Sequence, residues 1–146
     1  MSKFLLTVSK QDIAGQITEL LRQGDQLFHN PSPNSILMNA IQYVVELDGA
    51  KVVGCIGLEI KHPHTDMTEL KHLCVHPDYR NRGLGLKLLK KGIEYAQTPY
   101  VFGTIRSTNE VNIRNNYRAG MRPVCQYKGQ FDYNLIIFAT KKSRRN

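Results

Sequence analysis

Cysteine is scarce in this chain, with three among 146 residues. Cys55, Cys74 and Cys125 are odd in number and sit in apolar, strand-like stretches, so they read as reduced core thiols and not as a disulfide set. A long apolar run is also missing: no stretch reaches the roughly eighteen residues that a membrane helix needs. The N-terminal Met1-Ser-Lys-Phe-Leu-Leu-Thr-Val8 turns polar too soon for a signal peptide. These absences predict a soluble, cytoplasmic chain with no membrane partner. Nothing reads as a linker or a repeat, and this length suits one compact domain over residues 1–146. Acids are few, 12 against 20 Lys and Arg. Asp25, Glu46, Glu59, Asp66 and Asp132 are scattered, which argues against a polycationic ligand such as an aminoglycoside.

The excess of cations has two sources within a net charge of +8. One is Lys141-Lys-Ser-Arg-Arg145, in an end (141–146) expected to be a flexible basic tail. The other lies between residues 80 and 91. No aromatic platform is interleaved with either, which argues against a binder of single-stranded nucleic acid. For the tail, a solvated end is preferred over a nucleic-acid contact. His62, His64, His72 and His76 are four imidazoles close together, the number a zinc site would need. However, His62 and His64 flank a proline in a loop, and strict alternation puts His72 on the strand face opposite Glu69. No metal is expected.

Residues 80–85 read Arg-Asn-Arg-Gly-Leu-Gly, after the strand-like Glu69-Leu-Lys-His-Leu-Cys-Val75 and before an amphipathic helical pattern that reaches Ala96. A strand, a glycine turn and a helix start place successive N–H groups and a positive dipole end around one concavity, so an anion is expected there. Neither the P-loop pattern nor the three-glycine dinucleotide fingerprint occurs. Leu89, Gly92, Ile93 and Ala96 fall on one face of the helix, with Lys87, Lys90, Lys91 and Glu94 on the other.

Strands are expected at Phe4 to Val8, Ile41 to Leu47, Lys51 to Ile60, Met67 to Val75, Tyr100 to Ile105, Pro123 to Tyr127 and Asp132 to Thr140. Ser9-x-x-Asp12 resembles a capping box that opens a helix through about Gln23. A short helix is expected near Ile36 to Ala40. Asp48-Gly49-Ala50 and Lys128-Gly129 read as hairpin turns. A last helix, Asn109 to Ala119, ends at Gly120 as a left-handed cap.

The run Val75-His-Pro77-Asp-Tyr-Arg80-x-x-Gly83-x-Gly85 resembles the acyl-CoA signature of the GNAT N-acyltransferase superfamily. The order of elements is similar to that fold over nearly the whole chain, most specifically from Glu69 to Met121. The resemblance implies an α/β fold: a single mixed β-sheet of about seven strands flanked by about four helices, splayed between the fourth and fifth strands. It implies an N-acetyltransferase that uses acetyl-CoA as co-substrate and a small-molecule or peptide amine as acceptor, working as a monomer or homodimer. Arg80, Asn81, Arg82, Gly83, Leu84 and Gly85 would hold the pyrophosphate. Leu73, Cys74 and Val75 would line the pantetheine arm, the fourth strand would bulge there, and Asn109, eleven residues before Gly120, would contact the arm further along.

Transfer to an amine needs a proton acceptor and an oxyanion donor, and an acid where the leaving thiolate is protonated as it departs. The resemblance makes Glu69 the candidate base, and alternation places it on a face with Lys71, Leu73 and Val75. The other reading of Glu69 is an exposed strand-end carboxylate paired with Lys71, with a water chain taking the proton instead. The family's acid position, a tyrosine four residues before the glycine, is Asn116 here, and Tyr117 is one place later. A regular helix would present Asn116, while an irregular one would let Tyr117 act as the acid, the favoured reading because a phenol can donate the proton. Two alternatives to this reading remain open. One is a CoA-binding regulatory domain of weak or no activity, and the other an acyltransferase acting on aminoacyl-tRNA.

Overall fold

The computed structural model describes residues 9–24, 31–38, 41–61 and 66–142. The predicted capping pattern is realised: Ser9 Oγ accepts the Asp12 amide at 3.0 Å, and helix α1 spans Lys10–Gly24. That bond satisfies one of the donors a helix start leaves unpaired. Ile17, Leu20 and Leu21 recur at helical spacing and are buried. The next helix, α2, is Pro33–Met38, earlier than predicted. Ser32 Oγ caps it by accepting from the Ser35 amide at 3.1 Å, and a proline is compatible with the first helical position.

Six strands form one mixed sheet among the described residues. Strands β1, Gln42–Asp48, and β2, Lys51–Ile60, are joined by the predicted turn, where Gly49 takes φ 61°. Then come β3, Met67–Val75, and helix α3, Leu84–Tyr95. After them run β4, Tyr100–Arg106, helix α4, Glu110–Arg118, and the hairpin of β5, Arg122–Lys128, with β6, Asn134–Lys141. The order across the sheet is β1-β2-β3-β4-β6-β5, and only β3 and β4 pair in parallel. The strand expected at Phe4 to Val8 lies outside the described residues, so the predicted fourth and fifth strands are β3 and β4. No helix among the described residues is long and apolar enough to cross a membrane.

Two cores cover the two faces of the sheet. Helix α3 lays Leu88 and Leu89 on Ile56, Leu58, Leu70, Val101 and Phe138. Gly92 permits this approach, since a Cβ there would stand 3.0 Å from Leu70 and 3.3 Å from Ile56. Removing a fully buried leucine such as Leu88 would cost about 2–5 kcal/mol. On the other face α1 packs Ile17, Leu20 and Leu21 against Val52 and Cys55.

Two expectations need correction. Cys55 is buried, but Cys125 is exposed on β5, so it is not a core thiol; all three cysteines are free. The basic end is ordered further than predicted: Lys141 closes β6, and Lys142 Nζ donates to the carbonyls of Glu94, at 3.0 Å, and Ala96 at the end of α3. A cation there meets the negative end of the helix. Residues 143–146 lie outside the described residues.

Glu46 on β1 ties the outer strand to α3, accepting from Lys91 Nζ at 2.6 Å and Lys87 Nζ at 3.3 Å. Burial alone would raise its carboxyl, but the two lysines outweigh burial and hold it below its ordinary value of 4.5. A depressed carboxyl contributes stability above the unfolded pKa and loses it as pH falls through the folded one. Glu46→Gln should therefore lower the melting temperature at pH 7, with the gap to wild type closing below pH 4.5. A gap unchanged by acid in thermal melts would show that the ion pairs contribute nothing.

Candidate active site

The parallel pairing of β3 with β4 covers only Met67 to Leu70 against Tyr100 to Gly103. Beyond it β3 continues beside β2, while β4 continues to Arg106 beside β6. The two strands part after Leu70 and Gly103, opening the sheet from one end as the splay predicts.

Just past the parting, β3 bulges. Lys71 pairs with Gly57 and Cys74 with Cys55, so His72 and Leu73 together oppose Ile56. His72 takes φ 58°, the left-handed region, in which histidine is one of the more tolerated side chains. An extra residue in a strand resets its alternation and leaves backbone groups out of the ladder. This overturns one sequence expectation: Leu73 and Val75 pack with Leu70 in the α3 core, while Cys74 packs in the α1 core. Leu73 and Val75 therefore do not share a face with Glu69. His72, expected opposite Glu69, turns instead to the α1 side of the sheet, where its ring meets Tyr43.

That face carries a lattice of charges. Lys61 Nζ stands 3.1 Å from both Glu59 and Glu69, and Lys71 Nζ stands 3.3 Å from Glu59 and 3.9 Å from Glu69. The Glu69 side chain is 17% exposed, so the pairing with Lys71 exists, though not at an exposed strand end. The side chain of Glu59 is partly buried, which would raise its carboxyl, but its lysines prevail and lower it. His72 Nδ1 and the Tyr43 hydroxyl share a hydrogen bond of 2.6 Å, with the rings stacked at 5.9 Å. Burial lowers the pKa of His72 and Lys71 adds to the shift, against the opposing pull of Glu69 and Glu59, so the imidazole is neutral at pH 7. Burial pushes the Tyr43 phenol up, with Cys55 and Glu59 adding to it. Sequence reasoning missed Tyr43, which carries no signal beyond strand alternation.

At the end of β3 the chain enters a tight 3-10 turn, Pro77–Tyr79. His76 Nδ1 accepts the Asp78 amide at 3.1 Å, and Arg80 Nε donates to the Val75 carbonyl at 3.1 Å. Asn81 and Gly83 are both left-handed, at φ 63° and 78°. The first backbone bond of α3 runs from the Lys87 amide to Gly83 O at 3.1 Å, and no amide of residues 81–86 donates to an acceptor among the described residues. A Cβ at Gly83 would meet nothing within 4 Å, so the space in front of it is open. These features make an anion cradle from backbone donors and a helix start. Lys87 is not part of it, because it is turned to Glu46. Arg82 and Lys51 instead flank the Tyr79 ring, 5.1 and 5.4 Å from its centre, and its hydroxyl donates to Asp48.

Helix α4 closes the other side. Asn109 Oδ1 caps it by accepting from the Asn112 amide at 3.1 Å. Its end is regular: Met121 N donates to Asn116 O at 2.9 Å and Gly120 N to Tyr117 O at 3.1 Å, with Gly120 at φ 93°. Asn116 is consequently buried, 2% exposed, with Nδ2 on Asn112 O at 2.8 Å and Asn112 Oδ1 at 3.0 Å. Tyr117 is 45% exposed, edge-on to Phe138 and beside Arg122. The irregular helix that would bring Tyr117 inward does not form. Helix α4 also touches the cradle, since a Cβ at Gly85 would stand 3.3 Å from Asn115 Nδ2.

Two hollows lie away from the cradle. A cleft of about 800 Å³ runs between α1, α2 and the outer strand, with Ile17, Ile36, Leu37 and Tyr43 among its walls. One of about 660 Å³ surrounds Lys90, Glu94 and Lys142 at the far end of α3. Neither is lined by Leu73, Val75 or the cradle. Of the four histidines weighed as ligands, His62 and His64 lie outside the described residues, while His72 and His76 serve Tyr43 and the Asp78 amide.

The model of the acetyltransferase (GNAT) family matches residues 15–121. No curated protein matches the chain in sequence. Among solved structures, YncA of Salmonella typhimurium, solved with its cofactor acetyl-CoA, superposes at a TM-score of 0.78 with 17% identity, over 94% of this chain and 93% of that one. The ribosomal-protein-S18-alanine N-acetyltransferase of Escherichia coli gives 0.74 with 15% identity over 95% and 93%. An N-acetyltransferase of Staphylococcus aureus Mu50 gives 0.76 with 14% identity over 92% and 95%. At these identities the likeness is one of fold.

The bulge is testable through its backbone angle. His72→Val should cost about 1–2 kcal/mol more than His72→Asn, because a β-branched side chain is strained at positive φ whereas asparagine tolerates it. That corresponds to about 2–8 °C in melting temperature for a domain of this size. Equal melting temperatures would mean that position 72 is not left-handed in solution.

Proposed function

This chain belongs to the GNAT acetyltransferase family, and from that premise we propose that it moves an acetyl group from acetyl-CoA to a primary amine by direct attack. The observation that carries the reading is the coincidence, on one strand, of the parting at Leu70, the bulge at His72 and Leu73, and the open cradle that follows. A strand released from its neighbour offers the pantetheine arm a place to pair, with the backbone of Leu73, Cys74 and Val75 as its edge. The pyrophosphate then reaches residues 80–85, where the free amides of Asn81, Arg82, Gly83, Leu84 and Gly85 and the start of α3 oppose its charge. Arg80 shapes the loop through its bond to Val75 O. Asn109 sets the start of α4 at the side of the arm.

Acetyl-CoA supplies a thioester whose carbonyl carbon accepts the amine and whose sulfur leaves. The protein must align the two reactants, which supplies a large part of the rate, and offer donors to the carbonyl oxygen, a role suited to backbone N–H groups freed by the bulge. Glu69 contributes negative charge to the face on which the amine loses its proton, and its ion pairs with Lys61 and Lys71 hold it there. Asn116 occupies the place where the family carries a phenol. Its amide cannot protonate the thiolate, which favours a second reading as a CoA-binding domain of low turnover. Tyr117 stays outside the reaction. The acceptor is a small molecule or a peptide; a neighbour of similar fold acts on the alanine of a ribosomal protein, so peptides with N-terminal alanine belong in any screen.

The test is thiol release from acetyl-CoA with a panel of polyamines, amino acids, alanyl, seryl and lysyl peptides and aminoacyl-tRNA. Turnover with one class identifies the acceptor, and calorimetric binding of acetyl-CoA without turnover across the panel supports the second reading. Gly83→Ala should raise the Kd for acetyl-CoA at least about tenfold, since the added Cβ enters the open space of the cradle, while strain at positive φ costs about 1–2 kcal/mol of stability. An unchanged Kd in the folded variant would remove this loop from the site. Tyr117→Phe should keep full turnover and Asn116→Ala should lose part of it. A loss above tenfold confined to Tyr117→Phe would return the acid role to the phenol.

A further inference from the structure

Resting on this acetyl-transfer reading, we propose that the proton acceptor for the attacking amine is Nε2 of His72, held in its productive tautomer by Tyr43, with Glu69 and Glu59 as counter-charge. His72 is the first residue of the bulge and stands two places beyond the last β3–β4 pair, at the mouth of the parting. With its backbone left-handed, its ring lies on the α1 side of the sheet, stacked on Tyr43, where strict alternation would not have put it. Tyr43 from β1 engages Nδ1 at 2.6 Å, and Nε2 makes no hydrogen bond among the described residues. If Nδ1 carries the proton and donates it to the phenol oxygen, Nε2 keeps a free lone pair.

Glu69 is held by Lys61 and Lys71 through Oε1, and its part here is that of counter-charge. The charged groups around His72 are Glu59 on β2 and Glu69 and Lys71 on β3, with the Tyr43 phenol on β1 and the Cys55 thiol, which donates to the His72 carbonyl at 3.4 Å. Burial and Lys71 keep the imidazole neutral before reaction, and the two carboxylates stabilise the imidazolium formed during it. In the step, the amine nitrogen gives one proton to Nε2 and forms its bond to the carbonyl carbon as the carbon–sulfur bond breaks. The electron pair leaves on sulfur, and the imidazolium proton passes to that thiolate, so His72 returns neutral and the products are an amide and free CoA thiol.

Two measurements decide this. In protein labelled with 15N-histidine, long-range proton–nitrogen spectra at pH 7 should show His72 neutral and protonated on Nδ1, with that signature altered in Tyr43→Phe. A ring protonated on Nε2 overturns the proposal without any acceptor being known. With the best alanyl, seryl or lysyl peptide as probe, His72→Asn, which suits the left-handed backbone, should bind acetyl-CoA within threefold of wild type yet lose about 10²-fold or more in kcat. It should also lose the acidic limb of the kcat–pH profile, which Glu69→Gln should retain at a reduced rate. Wild-type kcat in His72→Asn, or loss of that limb in Glu69→Gln alone, overturns the assignment while acetyl transfer itself stands. Failure of the wild-type protein to bind acetyl-CoA would instead remove the acetyl-transfer reading.

Discussion

The parallel pairing that ends at Leu70 and Gly103 is the constraint from which the site follows. A strand that leaves one neighbour must keep its backbone satisfied by the other, and β3 does so by staying on β2 through a bulge. β4 meets the same demand by running its whole length along β6. The separation is held open because both strands have other partners, and packing fixes where it starts. Gly103 lets the two backbones close up at Leu70, where a Cβ would stand 3.3 Å from the Leu70 carbonyl, and α3 covers the junction through Leu88, Leu89 and Gly92.

The bulge does a second thing with the same residue. By absorbing one extra position, it returns Leu73 and Val75 to the α3 core and sends Cys74 to the α1 core, so the end of β3 stays anchored on both faces. The anchored end delivers the chain into the 3-10 turn and the cradle in a fixed direction, reinforced by the His76 amide donating to Val53 O at 2.8 Å. Core packing, strand parting and anion cradle are therefore one connected piece of backbone.

Charge is distributed in a way the net figure of +8 conceals. Lys87 and Lys91 are committed to Glu46, Lys61 and Lys71 to Glu59 and Glu69, and Lys142 to the end of α3. The cradle consequently depends on oriented backbone dipoles more than on point charges, which suits a ligand that must be gripped and then released. Around Glu69, two lysines face two carboxylates, and His72 beside them is bonded to a phenol and not to a charge.

By itself the sequence determined most of the elements. The spacing of Leu89, Gly92 and Ile93, the capping residue Ser9, and the turn at Asp48-Gly49 are local signals, and β2 and β3 were legible to their ends. The glycine loop was legible for the same reason, since left-handed backbone and a helix start are written in consecutive residues. What the tertiary structure decided was every matter of facing. Alternation counted along Glu69 to Val75 placed Leu73 and Val75 beside Glu69 and His72 opposite it, and one bulged residue, set by the register against Gly57 and Cys55, reversed both. No residue type announces that bulge, because it arises from β2 and β3 meeting with unequal numbers of residues. The choice between Asn116 and Tyr117 likewise waited on the end of α4, where the hydrogen bonds at Gly120 keep the helix regular, bury Asn116 and leave Tyr117 half exposed, edge-on to Phe138. Tyr43 became visible only when β1 brought it to His72, 29 residues away in the chain.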